Sequence, residues 1–242
     1  MKTTTAVLAL GSLAGTALAH GGVLSYEIAN PAATVKGFVP YNSATGQSTA
    51  QREWDSYNPI LDPTVATMAC NANGAVGAQT ATIAAGSKIT AYWNNPWPHT
   101  LGPIITWMAA VSSSSATPTG NAWFKIDQAG LISGDLPTGT WGMGQMVADN
   151  SSWTSTIPAS LKPGSYLLRN EVIAIHTSDQ PQFYMQCLQL TVTGSGTASP
   201  PASALAAIPG VYQMSDPSID IDVYSQPGVT NYTIPGPAPW TG

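Results

Sequence analysis

The fold is decided by the stretch Lys162-Pro163-Gly164-Ser165-Tyr166-Leu167-Leu168-Arg169-Asn170-Glu171-Val172-Ile173-Ala174-Ile175-His176, together with Phe183-Tyr184-Met185-Gln186-Cys187-Leu188-Gln189-Leu190-Thr191-Val192-Thr193. Its first three residues have the composition of a turn. The apolar, β-branched and aromatic residues that follow predict strands at 164–169, 172–176 and 183–193, and another strand precedes the turn at 154–157. Short strands this close together in sequence are typical of an antiparallel sheet.

The same kind of pattern recurs along the rest of the chain. Alternating or apolar runs predict further strands at 23–28, 78–83, 88–93, 104–109, 123–126 and 219–224. Residues 31–69 and 127–153 are predicted to be mostly loop, the second because Gly142 and Gly144 interrupt any regular element. Many short strands joined by turns predict an all-β fold, an immunoglobulin-like or fibronectin III-like antiparallel β-sandwich with long loops.

The composition argues against several classes of function. Seven Lys and Arg stand against twelve Asp and Glu, a net charge of −5, which argues against nucleic acid as a partner. After residue 19 no apolar run is long enough to span a bilayer, so we expect no membrane partner. Only 8% of residues are charged, whereas Gly, Pro, Trp and Tyr are plentiful. We therefore expect a monomer with a β-rich extracellular domain.

Residues 1–19 have the features of a secretory signal peptide. Lys2 provides the positive start, an apolar stretch follows, and Ala17-Leu18-Ala19 is a small-residue cleavage site. Cleavage there would secrete residues 20–242 as a single domain and free the α-amino group of His20. An amine and an imidazole on one residue can chelate one metal ion. The alternative is that His20 is merely the residue that follows the cleavage site.

Cys70 and Cys187 are the only two cysteines. In an oxidising compartment an even pair favours one disulfide, which would close a long loop and stabilise the fold by ~3 to 5 kcal/mol. The alternative, two thiolate metal ligands, is weaker because secreted thiols seldom stay reduced.

A few residues could hold and tune a metal ion. The amine and imidazole of His20 with the imidazole of His99 supply three nitrogens, a set that suits one copper ion per chain, and the phenol of Tyr184 could be an axial ligand. Near that ion, His176 and Gln182 could act as hydrogen-bond donors that tune its chemistry. The alternatives are a loop histidine at 99, a core histidine at 176 and an ordinary half-buried strand at 182–184.

At this point the sequence resembles a fungal lytic polysaccharide monooxygenase of auxiliary activity family nine, formerly glycoside hydrolase family sixty-one. The resemblance runs from His20 to the last residue. The matching segments are His20-Gly21-Gly22-Val23, His99 with Gly102-Pro103, residues 169–176, Gln182-Phe183-Tyr184 leading into Cys187, Leu190-Thr191-Val192-Thr193-Gly194, Ile208-Pro209-Gly210-Val211-Tyr212 and residues 235–240. The segment from His99 to Gly102 is one residue longer than the family pattern.

The resemblance implies a copper monooxygenase catalytic domain at residues 20–242, with no carbohydrate-binding module appended. Its metal ligands would be His20, His99 and Tyr184, and His176 and Gln182 would assist catalysis beside Tyr184. Its partners would be cellulose or a related β-glucan, a small-molecule or protein electron donor, and hydrogen peroxide or dioxygen. The enzyme would cleave β-1,4-glucan chains oxidatively by hydroxylation at C1, C4 or both.

Tyrosine side chains are candidates for contact with the substrate. The resemblance places Tyr212 at an exposed position of the C-terminal loop, where its ring could stack on a sugar, and Tyr41 is a second candidate. The alternative for Tyr212 is an incidental surface tyrosine. Asn150 and Asn231 begin N-glycosylation sequons.

Two other functions compete with the enzyme. One is a copper-binding protein with the same histidine ligands and no oxidative activity, and the other is a non-catalytic carbohydrate-binding module. The spacing Gln182-x-Tyr184 favours the enzyme over the first, and copper dependence would separate the enzyme from the second.

Overall fold

The computed structural model of the chain describes residues 20–71 and 74–242, so the predicted signal peptide at 1–19 lies outside the described residues. The strands are Val23–Ala29 (β1), Ala32–Lys36 (β2), Ala81–Ala84 (β3), Lys88–Trp93 (β4), Ile104–Val111 (β5), Asn121–Ala129 (β6), Leu131–Ser133 (β7), Thr140–Trp141 (β8), Ser152–Thr156 (β9), Gly164–Ala174 (β10), Gln182–Thr193 (β11) and Ala206–Ala207 (β12). The α-helix Gly142–Ala148 (α1) and 3-10 turns at Ala66–Met68, Ala202–Ala204 and Val223–Ser225 accompany them. Within the described ranges, no helix has the length and apolarity needed to cross a bilayer.

The strands form two main sheets and a small ribbon. One sheet has the order β2-β1-β4-β9, the other has the order β12-β6-β5-β10-β11-β3, and β7 pairs with β8. All pairs are antiparallel except β11 with β3, which run parallel. This arrangement confirms the predicted immunoglobulin-like β-sandwich with long loops, and the parallel edge strand is its one departure from the expected antiparallel pairing.

The main core lies between the two sheets. Tyr26 of β1 and Trp93 of β4 face Met108 of β5, Leu168 of β10 and Leu188 of β11, and each of these side chains is almost fully buried. Alternation along the strands sends every second side chain into this layer. The four-stranded sheet thereby covers one face of the six-stranded sheet.

The other face of the six-stranded sheet is also buried, because the C-terminal segment covers it. Ile219, Ile221 and Val223 pack there against Phe183 and Met185 of β11. Residues 219–224 were predicted to be a strand, and this prediction is wrong. Their alternation reflects apolar side chains laid on the sheet, and their backbone forms no ladder with it.

The strands predicted at 164–169 and 172–176 are a single strand, β10. Because this strand is buried on both faces, the polar residues in its middle do not interrupt it. The polar residues Arg169, Asn170 and Glu171 suggested a break, but they occupy the buried middle of an uninterrupted strand. Two nitrogens of Arg169 lie 2.6 and 2.8 Å from the carboxylate oxygens of Glu171. Glu171 also accepts hydrogen bonds from Trp107 Nε1 and from the hydroxyl of Tyr212. The buried charges are therefore paired and hydrogen-bonded, as burial requires.

Two further loop predictions are corrected. β2, at the start of the supposed loop 31–69, pairs with β1 as a hairpin. The segment 127–153 holds β7, β8 and α1, although Gly142 and Gly144 were expected to prevent regular structure. A Cβ on Gly142 would lie 2.4 Å from the carbonyl oxygen of Ala129, so the glycine permits close packing at the start of α1. Burial of Met143 and Met146 offsets the poor helix propensity.

Cys70 and Cys187 form the expected disulfide. The bond joins the segment after the first 3-10 turn to the middle of β11 and closes a loop with a sequence separation of 117 residues. The same segment is held by Arg169, which donates to the carbonyls of Met68 and Ala69. The centre of the six-stranded sheet is thereby fixed to the segment that precedes β3.

Replacing both cysteines by alanine should lower the free energy of unfolding by about 3 to 5 kcal/mol, because the unfolded chain then gains loop entropy. The measurement is urea denaturation of the wild type and the double variant. The wild type in reducing agent serves as the control and should approach the variant. Equal midpoints for all three samples would contradict the expectation.

Glu171→Gln should destabilise the fold by about 3 to 5 kcal/mol, because Arg169 then keeps a buried charge without its carboxylate. A double-mutant cycle with Arg169→Met tests the coupling by chemical denaturation. The double variant should lose less stability than the two single losses added together. Strict additivity would show that the two side chains do not stabilise each other.

Candidate functional site

The pairing of β10 with β11 brings three of the predicted site residues to one end of the six-stranded sheet. Tyr184 and Gln182 occupy the start of β11 opposite Val172 and Ala174, and His176 follows β10 two residues beyond its end. The hydroxyl of Tyr184 donates a 2.8 Å hydrogen bond to Gln182 Oε1. Gln182 and Tyr184 therefore act as one unit on the face that looks toward the four-stranded sheet.

His99 is carried by the loop between β4 and β5. Trp97, two residues earlier, is buried and contacts Trp93 edge to face, with ring centroids 5.1 Å apart. The backbone N–H of Trp97 donates to the hydroxyl of Ser151. This packing fixes the loop, so that His99 Nε2 lies 3.2 Å from the hydroxyl of Tyr184.

His20, three residues before the start of β1, completes the group. Its ring centroid is 6.2 Å from that of His99 and 6.0 Å from that of Tyr184. Two imidazoles that share one metal ion, with nitrogen–metal distances of about 2.0 to 2.1 Å, have ring centres roughly 6 to 6.5 Å apart when they flank it. The spacing of His20 and His99 therefore fits a shared ion.

His176 does not fit the same ion as a ligand. Its ring is stacked on His99, with centroids 4.2 Å apart and planes inclined by 20°. The lone pairs of imidazole lie in the ring plane, so two nearly parallel rings cannot both aim at one ion. In agreement, the described residues contain no group of three or more His, Cys, Asp or Glu side chains able to hold a metal. A third strong donor has to come from elsewhere.

Burial shifts the pKa of two of these side chains in the direction that favours their uncharged forms. It raises the pKa of Tyr184 well above its usual value, so the side chain remains a neutral phenol. It also lowers the pKa of His176, and the neighbouring His20 lowers it further. Both effects favour the uncharged imidazole of His176, and its Nδ1 is buried without a hydrogen-bond partner in the described part of the chain.

Tyr212 is not on the surface, and the prediction that it contacts substrate there is wrong. Its side chain is 1% exposed, its hydroxyl donates a 2.6 Å hydrogen bond to Glu171, and its ring stacks on Phe183. Tyr212 therefore anchors the C-terminal segment to the sheet. Its ring has no free face for a sugar.

Two other tyrosines are exposed. Tyr41 is 63% exposed, and its ring meets Tyr57 edge to face. Tyr224 is 53% exposed and was missed by the sequence analysis. It follows Asp222, which accepts a hydrogen bond from Ser178 two residues after His176. Tyr224 therefore lies on a segment attached to the loop that leaves the site.

The predicted glycosylation positions, Asn150 and Asn231, are both exposed. Asn150 lies beside the His99 loop, because its Oδ1 accepts a hydrogen bond from Asn95 Nδ2. The exposure of both side chains satisfies the first requirement for a glycan acceptor.

Comparison with known proteins identifies the family. The model of Auxiliary Activity family 9 (formerly GH61) matches residues 20–232. The AA9 family lytic polysaccharide monooxygenase B of Heterobasidion irregulare is 59% identical over 229 residues, which cover 93% of each chain.

Solved structures agree with this match. The crystal structure of HiLPMO9B gives a TM-score of 0.88 at 58% identity and covers 92% of this chain and 100% of that one. A cellulose-active polysaccharide monooxygenase from M. thermophila gives 0.84 at 42% identity, with coverage of 92% and 100%. This chain therefore belongs to Auxiliary Activity family 9, the copper-dependent lytic polysaccharide monooxygenases, and is an oxidoreductase.

Proposed function

We propose that this enzyme is secreted, binds one copper ion through His20, His99 and Tyr184, and cleaves the β-1,4-glucan chains of cellulose oxidatively. The observation that carries the proposal is the spacing of the two imidazoles, whose ring centroids lie 6.2 Å apart beside a buried phenol. The similarity to a cellulose-active polysaccharide monooxygenase supports the choice of substrate.

The α-amino group of His20 is the third nitrogen that the side chains do not provide. Removal of residues 1–19 after Ala19 would free it on the same residue as one imidazole, and three nitrogen donors are a set that copper favours. Residues 20–242 would then form the catalytic domain. Tyr184, whose hydroxyl lies 3.2 Å from His99 Nε2, would contribute a neutral phenol oxygen to the same ion.

Copper, when bound, supplies one-electron redox chemistry with hydrogen peroxide or dioxygen, after reduction by a small-molecule or protein donor. In the net reaction with peroxide, a C–H bond at C1 or C4 becomes C–OH and water is released. The hydroxylated carbon then expels the adjoining sugar. No pair of carboxylates is required, which separates this reaction from glycoside hydrolysis.

Two residues beside the proposed copper ligands, Gln182 and His176, offer hydrogen-bond donors to the reacting oxygen species. Gln182 Oε1 accepts a hydrogen bond from the hydroxyl of Tyr184, which leaves the amide nitrogen of Gln182 as a donor. His176, stacked on His99, provides a ring N–H at the same end of the sheet. Both side chains can hydrogen-bond an oxygen co-substrate, as groups around a metal do when they tune its reactivity.

Contact with the polysaccharide is assigned to Tyr41 and Tyr224. Both rings are exposed, and an aromatic face with a polar tip suits stacking on a sugar. Tyr41 continues a series of rings, Trp54 and Tyr57, that begins beside the residues following His20. We also infer that Asn150 and Asn231 carry glycans in the secreted protein.

His99→Ala should weaken copper binding by more than about 100-fold, since even residues that only support a metal ligand contribute 10- to 100-fold. Calorimetry with the secreted protein measures the affinity. The matched control is His176→Ala, which removes the stacked histidine and should retain tight copper binding. This variant should release fewer oxidised oligosaccharides from cellulose when ascorbate is the reductant. Equal copper affinity in wild type and His99→Ala would contradict the proposal. Copper binding without any oxidised product in the wild type would favour a copper-binding protein.

Tyr224→Ala should weaken binding to cellulose by about 3- to 10-fold, which corresponds to the loss of one stacking ring. Tyr41→Ala should act in the same direction. Tyr212→Phe is the control, because it removes a buried hydroxyl and leaves the surface unchanged. Binding isotherms on crystalline cellulose test all three variants, and the assignment fails if Tyr212→Phe has the largest effect.

A further inference from the structure

The residues directly after His20 are held by buried side-chain amides. The N–H of Gly22 donates a 2.7 Å hydrogen bond to Asn94 Oδ1, and the N–H of Val23 donates a 3.0 Å hydrogen bond to Gln186 Oε1. Gln51 Nε2 donates to the carbonyl of Val23 at 2.9 Å. The strand register of β1 with β4 ends at Val23, so beyond it the side chains of Asn94 and Gln186 add to the one backbone hydrogen bond that holds Gly22.

These amides are deeply buried. Asn94 is 8% exposed, Gln186 is 1% exposed and Gln51 is fully buried. The N–H of Asn94 also donates to the carbonyl of Gly22 at 3.2 Å, so Asn94 binds both sides of that residue. Buried hydrogen bonds of this kind are costly to break, because the partner is then left unsatisfied.

Positions 21 and 22 have no space for a side chain, because the backbone there lies directly against these amides. A Cβ on Gly21 would lie 2.2 Å from Asn94 Oδ1. A Cβ on Gly22 would lie 2.5 Å from Gln186 Nε2 and 2.6 Å from the ring of Trp54. Real Cβ atoms do not approach other atoms this closely, so the absence of side chains at 21 and 22 is what lets the backbone lie against the amides.

The amides belong to the same elements that carry the other site residues. Asn94 is the first residue after β4 and begins the loop that leads to His99. Gln186 lies two residues after Tyr184 on β11, and residues two apart in a strand share a face. The backbone after His20 is therefore fastened to the supports of both His99 and Tyr184.

We propose that Asn94 and Gln186 are positioning residues that set the place of His20 relative to His99 and Tyr184 and thereby tune copper binding. This inference rests on the proposed copper function. Neither side chain touches the metal in this scheme. Each acts through the backbone of Gly22 or Val23, in the way that groups behind a ligand fix its orientation.

The test compares Gln186→Leu and Asn94→Ala with a matched control, Gln189→Leu. Gln189 lies on the same strand, is also 1% exposed and makes two 3.0 Å hydrogen bonds to the backbone of Gly77, far in sequence from His20. Each secreted protein is checked for an N-terminal His20. Copper affinity is then measured by calorimetry, the copper paramagnetic resonance spectrum is recorded, and the apo protein's Tm is measured.

We expect Gln186→Leu and Asn94→Ala to bind copper about 10-fold more weakly and to show altered copper hyperfine coupling. Gln189→Leu should lower Tm without changing affinity or spectrum. Asn94→Asp keeps the acceptor oxygen for Gly22 and should restore affinity.

Wild-type affinity and spectrum in both Gln186→Leu and Asn94→Ala would overturn the inference while leaving the copper site intact. An equal loss of affinity in Gln189→Leu would also overturn it, because the effect would then follow stability alone. A wild type that binds no copper would overturn the proposed function together with the inference.

Discussion

The site depends on one constraint, the antiparallel register between β10 and β11. That register places Ala174 opposite Gln182 and Val172 opposite Tyr184. The middle of the pair is fixed by the buried ion pair in β10 and by the disulfide from β11. A slip of one residue would turn every side chain to the opposite face. The phenol would then point away from the two imidazoles, although the sheet itself would persist.

The sequence predicted the fold class correctly. It gave the wrong secondary structure where tertiary contacts override the local pattern of residues. Asn170 and its charged neighbours suggested a break between two strands, since nothing local shows that Arg169 and Glu171 neutralise each other. Ile221 suggested a strand because period-two burial against a sheet gives the same alternation as a strand within one. Gly142 suggested a break because glycine is unfavourable in helices. The need for glycine at this position comes from its close approach to Ala129, which the local sequence does not show.

The sequence predicted the proposed metal ligands better than it predicted the surface tyrosines and the amides that support the ligands. His20 and His99 are two of only three histidines, Tyr184 follows Gln182 in a distinctive spacing, and the structure brings all three together. Tyr212 and Tyr224 lie in the same C-terminal segment, and the contacts that bury Tyr212, its hydrogen bond to Glu171 and its stacking on Phe183, come from distant strands. The amides that hold Gly22 could not be found from sequence, because buried and exposed Asn or Gln residues have the same local patterns.

The C-terminal segment has a consequence for shortening the protein. It forms one wall of the apolar layer on the outer face of the six-stranded sheet. Near its end, the ring of Trp240 contacts Phe124 edge to face, and the backbone N–H of Trp240 donates to the carbonyl of Lys125. Trimming the chain back toward β12 would uncover the rings of Trp107 and Phe183 together. A contiguous apolar patch of that kind drives self-association. The tail is thus a solubility element as well as a structural one, and a minimal catalytic unit must retain it.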